Sequence, residues 1–262
     1  MKIQRIIKKL TKKQKEILYY LYQFRFLHTH QIQKLLKHKN PNRTLSWLKN
    51  LIEKNYVKRH YEKKSFQDTA KPAIYYLGPK ARQVLQKEKK IDLYDLEYIY
   101  SEYRREKKFI DRCLFLADVY LYLLSQKEPQ EEIKFFTKTL LKGYEYFPDP
   151  LPDAFISVKG EETTRRYFLD FFDEYTPAFV LRRRVKMYLE YIEKSDWDEN
   201  TNNAPFPSIL FICPSERVKK HIYYYAKSLL EKTYDDKLSL FLTTMGQIQR
   251  GNNDVWKKVL LE

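Results

Sequence analysis

Two aspartates stand where chemistry could be done. Asp153 lies in LPDAFISV and Asp170 in YFLDFFDEY, each at the edge of an apolar run that reads as a β-strand. Carboxylates on adjacent strand ends can hold Mg²⁺, which then activates water against a phosphodiester. Such a site also wants a cation beside the attacking water. Two residues after Asp170 stands Phe172, so that cation would have to come from Lys186, or from Arg182 or Arg183, on the next helix. The candidate catalytic set is therefore Asp153, Asp170 and Lys186, with Asp153 and Asp170 as metal ligands and Mg²⁺ as cofactor only if the site works. The plainer reading makes both aspartates turn and sheet residues of a structural domain. Asp173 and Glu174 fall in the turn beyond.

A second set is suited to nucleic acid. In NPNRTLSWLKNLIEKNYVKRH, Asn40 is a helix N-cap and Pro41 suits the first helical position. Leu45, Leu48, Leu51 and Ile52 keep the three-and-four spacing of a buried face. That leaves Arg43, Thr44, Ser46, Trp47, Lys49 and Asn50 as candidate contacts to DNA. Arg and Asn can bond base edges in pairs, whereas Lys and Ser more often hold phosphates. Lys58, Arg59, Lys63 and Lys64, on the hairpin that follows, are candidate backbone contacts.

The charge supports a polyanionic partner. The chain has 262 residues and a net charge of +16, but residues 1–90 carry 24 Lys and Arg against 5 Asp and Glu, while the remainder carries 26 against 29. A basic half joined to a near-neutral half is the footprint of nucleic-acid binding. Lys-rich composition alone would have spread the excess evenly. No apolar run approaches the ~20 residues of a membrane span. The basic start MKIQRIIKKL lacks a signal peptide's apolar core. Cys113 and Cys213 are isolated, which suggests reduced core thiols and a cytoplasmic protein. His28, His30 and His38 lack the supporting ligands of a zinc site. There is no GxxxxGK[ST] or GxGxxG loop, so nucleotide-cofactor chemistry is disfavoured.

These residues need elements to position them. Thr11 and Gln14 form a capping box opening a helix with Ile17, Leu18, Leu21 and Phe24 inward. A second helix starts at Thr29, a third at Pro41, and two strands flank a polar tip at Glu62 to Lys71. Gly78-Pro79 then leads into a closing helix over 80–87. Helix, helix, helix and hairpin is the layout of a winged helix, whose third helix enters a major groove. Residues 1–87 are therefore expected to form a winged-helix domain, 88–108 a bridging helix or linker, and 109–262 an α/β domain. In the last, a helix over 109–124 precedes strands at 133–141, 152–158 and 166–172. A helix over 180–192, a buried strand over 207–213, a helix over 215–232 and a strand over 238–243 complete it. The closing strand–helix–strand step predicts a partly parallel sheet.

That order resembles the core of the PD-(D/E)xK restriction-endonuclease-like fold, giving a chain that is α+β in its first part and α/β in its second. As a whole the chain resembles the replication-relaxation family of plasmids and mobile elements. The resemblance rests on LTKKQKEILYYLYQFRFLHTHQIQKLL, SWLKNLIEKNYVKRH, AIYYLGPKARQVL, LPDAFISV, YFLDFFDEYT and LRRRVKMYLEY. Asp153, Asp170, Lys186 and Tyr191 are the positions that match the family's pattern. The resemblance implies a double-stranded DNA partner and a role in replication initiation or DNA relaxation of a mobile replicon. A homodimer and replication or conjugation proteins are further candidate partners. A metal-dependent endonuclease or nickase and a winged-helix transcriptional regulator with a dimerisation or sensing domain are the alternatives. No paired histidines and no distinct tyrosine among 23 mark a relaxase nucleophile.

Overall fold

The computed structural model describes residues 10–60, 72–89, 91–194, 196–233 and 238–260. It is a mixed α and β protein that divides into two compact units, residues 1–121 and 122–262.

In the first unit, α1 (Lys12–Phe24) opens with the expected capping box: Gln14 N–H donates to Thr11 Oγ1 and Thr11 N–H to Gln14 Oε1. Ile17, Leu18, Leu21 and Phe24 are buried. The link that follows is a short strand, β1 (Leu27–His28), and α2 (Thr29–Leu35) begins directly after it. α3 (Pro41–Glu53) is capped by Asn40, whose side chain accepts from the amides of Asn42 and Arg43. The strands β2 (Val57–His60) and β3 (Ile74–Leu77) pair antiparallel, and β3 also pairs with β1, giving the order β1-β3-β2. Gly78 follows because a Cβ there would lie 2.6 Å from the Asn55 carbonyl oxygen. α4 (Ala81–Lys89) closes the expected set.

The segment read as a bridge forms two 3₁₀ turns, Tyr94–Tyr100 and Glu102–Arg104. It is pinned by Glu102, which is buried and accepts from Arg25 Nε at 2.5 Å, Arg25 Nη2 at 2.8 Å and Arg105 Nε at 3.2 Å. The Arg25 guanidinium also lies over the Tyr98 ring. The long helix α5 (Lys107–Gln126) starts in this unit, where Gln31 Nε2 donates to the Leu114 carbonyl and to Asp118. The division between units falls inside α5, beyond the 88–108 bridge read from sequence.

In the second unit, β4 (Glu132–Thr137) is shorter than the strand expected over 133–141, because α6 (Lys138–Leu141) takes the last residues as a helical turn. The other elements are β5 (Ala154–Lys159), β6 (Thr164–Phe171), α7 (Ala178–Glu193), α8 (Asp196–Thr201), β7 (Ser208–Cys213), α9 (Glu216–Thr233), β8 (Leu240–Thr244), α10 (Met245–Arg250) and β9 (Lys257–Lys258). The sheet order is β4-β5-β6-β7-β8-β9. Its β6–β7 and β7–β8 pairs are parallel and the rest antiparallel, as the strand–helix–strand step predicts. Phe168, Ile209, Phe211, Leu240 and Leu242 share one face, on which α7 and α9 bury Leu181, Val185, Tyr188, Ile222 and Ala226. α10 and β9 were not expected, although Thr244, Gln247 and Gly251 give both ends of α10: a capping box and a left-handed C-cap at φ 70°.

Candidate functional site

Helix α3 offers the first candidate surface. Its buried seam is Thr44, Leu48 and Leu51, at spacings of four and three. A step of 100° per residue then turns Asn42, Ser46, Lys49 and Glu53 directly outward, and each is exposed. Arg43 and Asn50 flank this stripe on one side and Leu45 on the other. Two expectations are corrected. Thr44 is 0% exposed, so it belongs to the core and not to a DNA contact, and Leu45, expected inward, is 45% exposed. Both follow from the seam lying one residue earlier than the leucines alone suggest.

The remaining side chains are partly tied. Asn50 is half-buried and accepts from Gln14 Nε2 at 3.0 Å. Trp47 is also half-buried, edge-on to the His38 ring at 4.9 Å, with the Arg43 guanidinium 5.6 Å from its centroid. Arg43, Ser46 and Lys49 are exposed, as are Lys58 and Arg59 on β2. Lys63 and Lys64 lie outside the described residues. Asn42 and Leu45, which sequence reasoning passed over, complete the outward surface. An exposed leucine beside Asn, Ser and Lys suits a major groove, where apolar atoms meet thymine methyls.

The second candidate is the aspartate pair. Ala154 pairs with Leu169 across β5 and β6, so one more step sets Asp153 opposite Asp170 on the face covered by α7. The two are 1% and 5% exposed. Buried carboxylates need partners, and both have them. Asp153 Oδ2 accepts from the Phe171 amide at 2.9 Å, and Oδ1 forms an ion pair with Lys138 Nζ at 2.8 Å. Asp170 accepts from Arg184 Nε at 2.7 Å and Nη2 at 3.1 Å, and from the Tyr188 hydroxyl at 2.7 Å. Arg184 Nη1 also donates to the Pro150 carbonyl at 2.5 Å.

The electrostatics follow. Burial by itself lowers the pKa of the Arg184 guanidinium, but Asp170 and Tyr188 outweigh it and the net shift is upward. Burial, and after it the Asp170 charge, pushes the Tyr188 hydroxyl well above its ordinary range. Arg184 is thus a fixed cation held by a bidentate pair, and Tyr188 a fixed donor.

Mg²⁺ does not fit this arrangement. Both Asp170 oxygens are filled by Arg184 and Tyr188, and Asp153 is divided between an amide and an ammonium. A divalent ion would have to displace two cations already in place. Among the described residues, no group of three or more His, Cys, Asp or Glu could hold a metal. Lys186, matched to a catalytic role, does not join the pair. It is exposed on α7 beside Phe179, Arg182, Arg183 and Tyr225, two residues and about 200° of helix beyond Arg184. Phe172 is buried, packed edge-on to Phe211 at 5.0 Å, and Tyr191 is buried with its hydroxyl donating to the Tyr146 carbonyl. Arg184 is the partner that sequence reasoning missed. Its signal was available, since it falls on the inward face with Leu181, Val185 and Tyr188.

Among the described residues, no helix is long and apolar enough to cross a membrane. No curated protein matches the chain. Among solved structures, restriction endonuclease FokI aligns over 95% of this chain and 44% of its own, at 13% identity and a TM-score of 0.32. FokI bound to DNA aligns over 97% and 47%, at 15% identity and a TM-score of 0.29. The chain therefore spans less than half the length of that enzyme, and the superposition is too loose to carry an argument about fold or function. The sequence model of one family, replication-relaxation, matches residues 18–206, well over half of the chain. The chain belongs to the replication-relaxation family.

Proposed function

We propose that this protein binds duplex DNA through its first unit, as a positioning factor in replication or relaxation of a plasmid or other mobile element, and does not cut the strand. The observation that carries this reading is α3: a firmly capped helix whose outward stripe is Asn42, Ser46 and Lys49, flanked by Arg43 and Leu45. Three helices with a β1-β3-β2 sheet support the reading of a winged helix, in which such a helix enters the major groove and the hairpin meets the backbone. The outward Glu53 favours a contact through the N-terminal half of α3, the part of groove-reading helices that makes base contacts. The basic balance of residues 1–90 supplies phosphate attraction.

In this reading the second unit keeps the strand order of a PD-(D/E)xK-like core but uses its aspartates to hold α6 and α7 in place. The endonuclease alternative is disfavoured by Arg184, which occupies both oxygens of Asp170. A regulator that binds as a dimer would read paired half-sites, and footprinting on its own replicon would reveal such symmetry.

Supercoiled plasmid incubated with the protein in Mg²⁺, Mn²⁺ or EDTA tests the proposal on an agarose gel. The expected result is a salt-sensitive mobility shift without nicking, weakened in Arg43→Ala/Lys49→Ala. Metal-dependent nicking lost in Asp153→Ala/Asp170→Ala would overturn it.

A further inference from the structure

The outward face of α7 carries a feature that neither α3 nor the aspartate pair uses. Phe179, Arg182, Arg183 and Lys186 stand at spacings of three, four and seven, which is one stripe of a helix. It lies opposite the buried stripe of Leu181, Arg184, Val185 and Tyr188. With Tyr225 of α9 these four residues line an open cleft of about 370 Å³, at the small end of ligand-sized clefts (~300–1,000 Å³). Phe179 is 60% exposed. Arg183 and Lys186 are exposed, and the Arg182 guanidinium lies 5.9 Å from the centre of the Tyr225 ring.

Two properties of this cleft need an explanation. Its three cations are in no ion pair among the described residues, although the half of the chain that holds them is slightly acidic overall. The acids of α7 fall later, Glu190 one turn past Lys186 on the same stripe and Glu193 beyond it, and those of α9 are paired: Glu216 with Lys219, and Glu231 with Lys227. In addition, a large aromatic side chain is left in solvent at the N-terminal end of the cationic stripe. Folding explains neither, since an exposed phenylalanine and unpaired like charges on one helical stripe contribute no stability.

We infer that this cleft binds single-stranded nucleic acid, with Arg182, Arg183 and Lys186 on successive phosphates and a base stacked on Phe179 or Tyr225. Cations interleaved with aromatic rings are what single strands require, because every unpaired base offers a π-face and every linkage a charge. A duplex hides its base faces and would leave Phe179 without a partner. An acidic peptide would use the cations but not the ring. Melting or relaxation of a replicon exposes single strands, so the cleft would give the second unit a task that its latched aspartates do not.

The test uses the full chain and fluorescently labelled dT20 and rU20, read by anisotropy at about 0.1 M salt. Arg182→Ala/Arg183→Ala/Lys186→Ala should weaken binding at least ten-fold. It should also reduce the slope of log K against log salt by about 2, at ~0.7 per phosphate contact. Phe179→Ala should weaken binding roughly five-fold or more with the salt slope unchanged, since a stacked base contributes ~1–3 kcal/mol. All four positions face solvent or a cleft, so an unchanged thermal melt is expected. Arg43→Ala/Lys49→Ala should leave dT20 binding intact while weakening duplex binding, which separates this site from α3. Three results would each overturn the inference: no binding of either oligomer, equal binding by the triple variant, or polyglutamate competing as well as dT20 with Phe179→Ala silent.

Discussion

Two regions of this protein, helix α3 and the aspartate pair of the second unit, treat charged side chains in opposite ways. In the first, α3 keeps Ser46 and Lys49 of its outward stripe, and Arg43 beside it, exposed. In the second, Asp153 and Asp170 stand together on one sheet face, as a metal site would need, and each is matched by a cation of the same chain. A constellation of residue types is therefore not a site until its partners are known. Binding surfaces keep their hydrogen-bonding capacity for the ligand, whereas a buried polar cluster that satisfies itself is architecture.

The largest test of this contrast is Arg184. If the Asp170–Arg184–Tyr188 cluster is architecture, Arg184→Met leaves a carboxylate buried without its cation, and removing one partner of a buried pair typically costs about 3–5 kcal/mol. Urea unfolding followed by fluorescence should show the second unit destabilised by an amount of that order. Asp170→Asn combined with Arg184→Met should recover part of the loss, because no charge then remains to be stranded. A loss under about 1 kcal/mol in the single variant would show that water or another cation readily replaces Arg184. The divalent-ion reading would then reopen.

The next effect lies in the first unit and should appear in binding rather than in stability. Arg43→Ala, if Arg43 meets a base edge, should cost about 1–3 kcal/mol at the preferred sequence and relax preference at one position. Lys49→Ala, if it meets a phosphate, should weaken all sequences alike and reduce the salt slope by about 1. Titrations of specific and scrambled duplexes at several salt concentrations separate the two. A melting-temperature drop in either variant comparable to that of Arg184→Met would erase the contrast, since α3 would then be spending these side chains on folding.

What the sequence revealed of this contrast depended on range. Local signals were readable: the Thr11–Gln14 box, the Asn40 cap with Pro41, and the period that buries Ile17, Leu18 and Leu21. The strand pair carrying the aspartates was also legible, because LPDAFISV and YFLDFF are apolar runs with a Gly between them. Neutralisation of the pair was not. Glu102 meets Arg25 across 77 residues of chain, and Asp170 meets Arg184 across a strand end and a turn. Arg182, Arg183 and Arg184 are chemically identical, and only the phase of Leu181, Val185 and Tyr188 selects the third to turn inward. Lys138 gave no signal, since its role depends on β4 stopping one residue before it. The misplacement of Leu45 has the same origin. Four leucine-class residues set a stripe to within about 100°, and a threonine took the edge that one of them was expected to fill.

A smaller difference should appear with pH. His28 ends β1 and caps α2, and burial, and after it the neighbouring His30, lowers its pKa below the ordinary 6.5, against the weaker upward pull of the Ala73 carbonyl, Asp118 and Asp111. The unfolded chain then binds the proton more readily than the folded one. Stability of the first unit should therefore be full above about pH 7 and decline as pH falls through 6.5. His28→Gln should flatten that decline. Arg184 and Tyr188 of the second unit, both shifted upward, should contribute no such step between pH 5 and 8. Hydrogen exchange resolved by unit would register a step in the wrong half.

The smallest expected effect is also the sharpest, because it concerns one residue that the two accounts place on opposite sides of α3. Thr44 is fully buried, and its hydroxyl has no hydrogen-bond partner among the described residues. A buried hydroxyl without a partner carries a desolvation cost that a methyl group of similar shape does not. Thr44→Val should hence leave stability within about 0.5 kcal/mol of the parent or raise it slightly, with duplex affinity unchanged. Leu45→Ala, one residue along and turned 100° outward, should show the reverse: stability nearly untouched, and affinity reduced where a thymine methyl had been covered. If Thr44→Val weakens binding while Leu45→Ala does not, the outward stripe has been set one residue out of phase. Arg43 and Lys49 would then have to be reassigned with it, since the four positions turn together on one rigid helix.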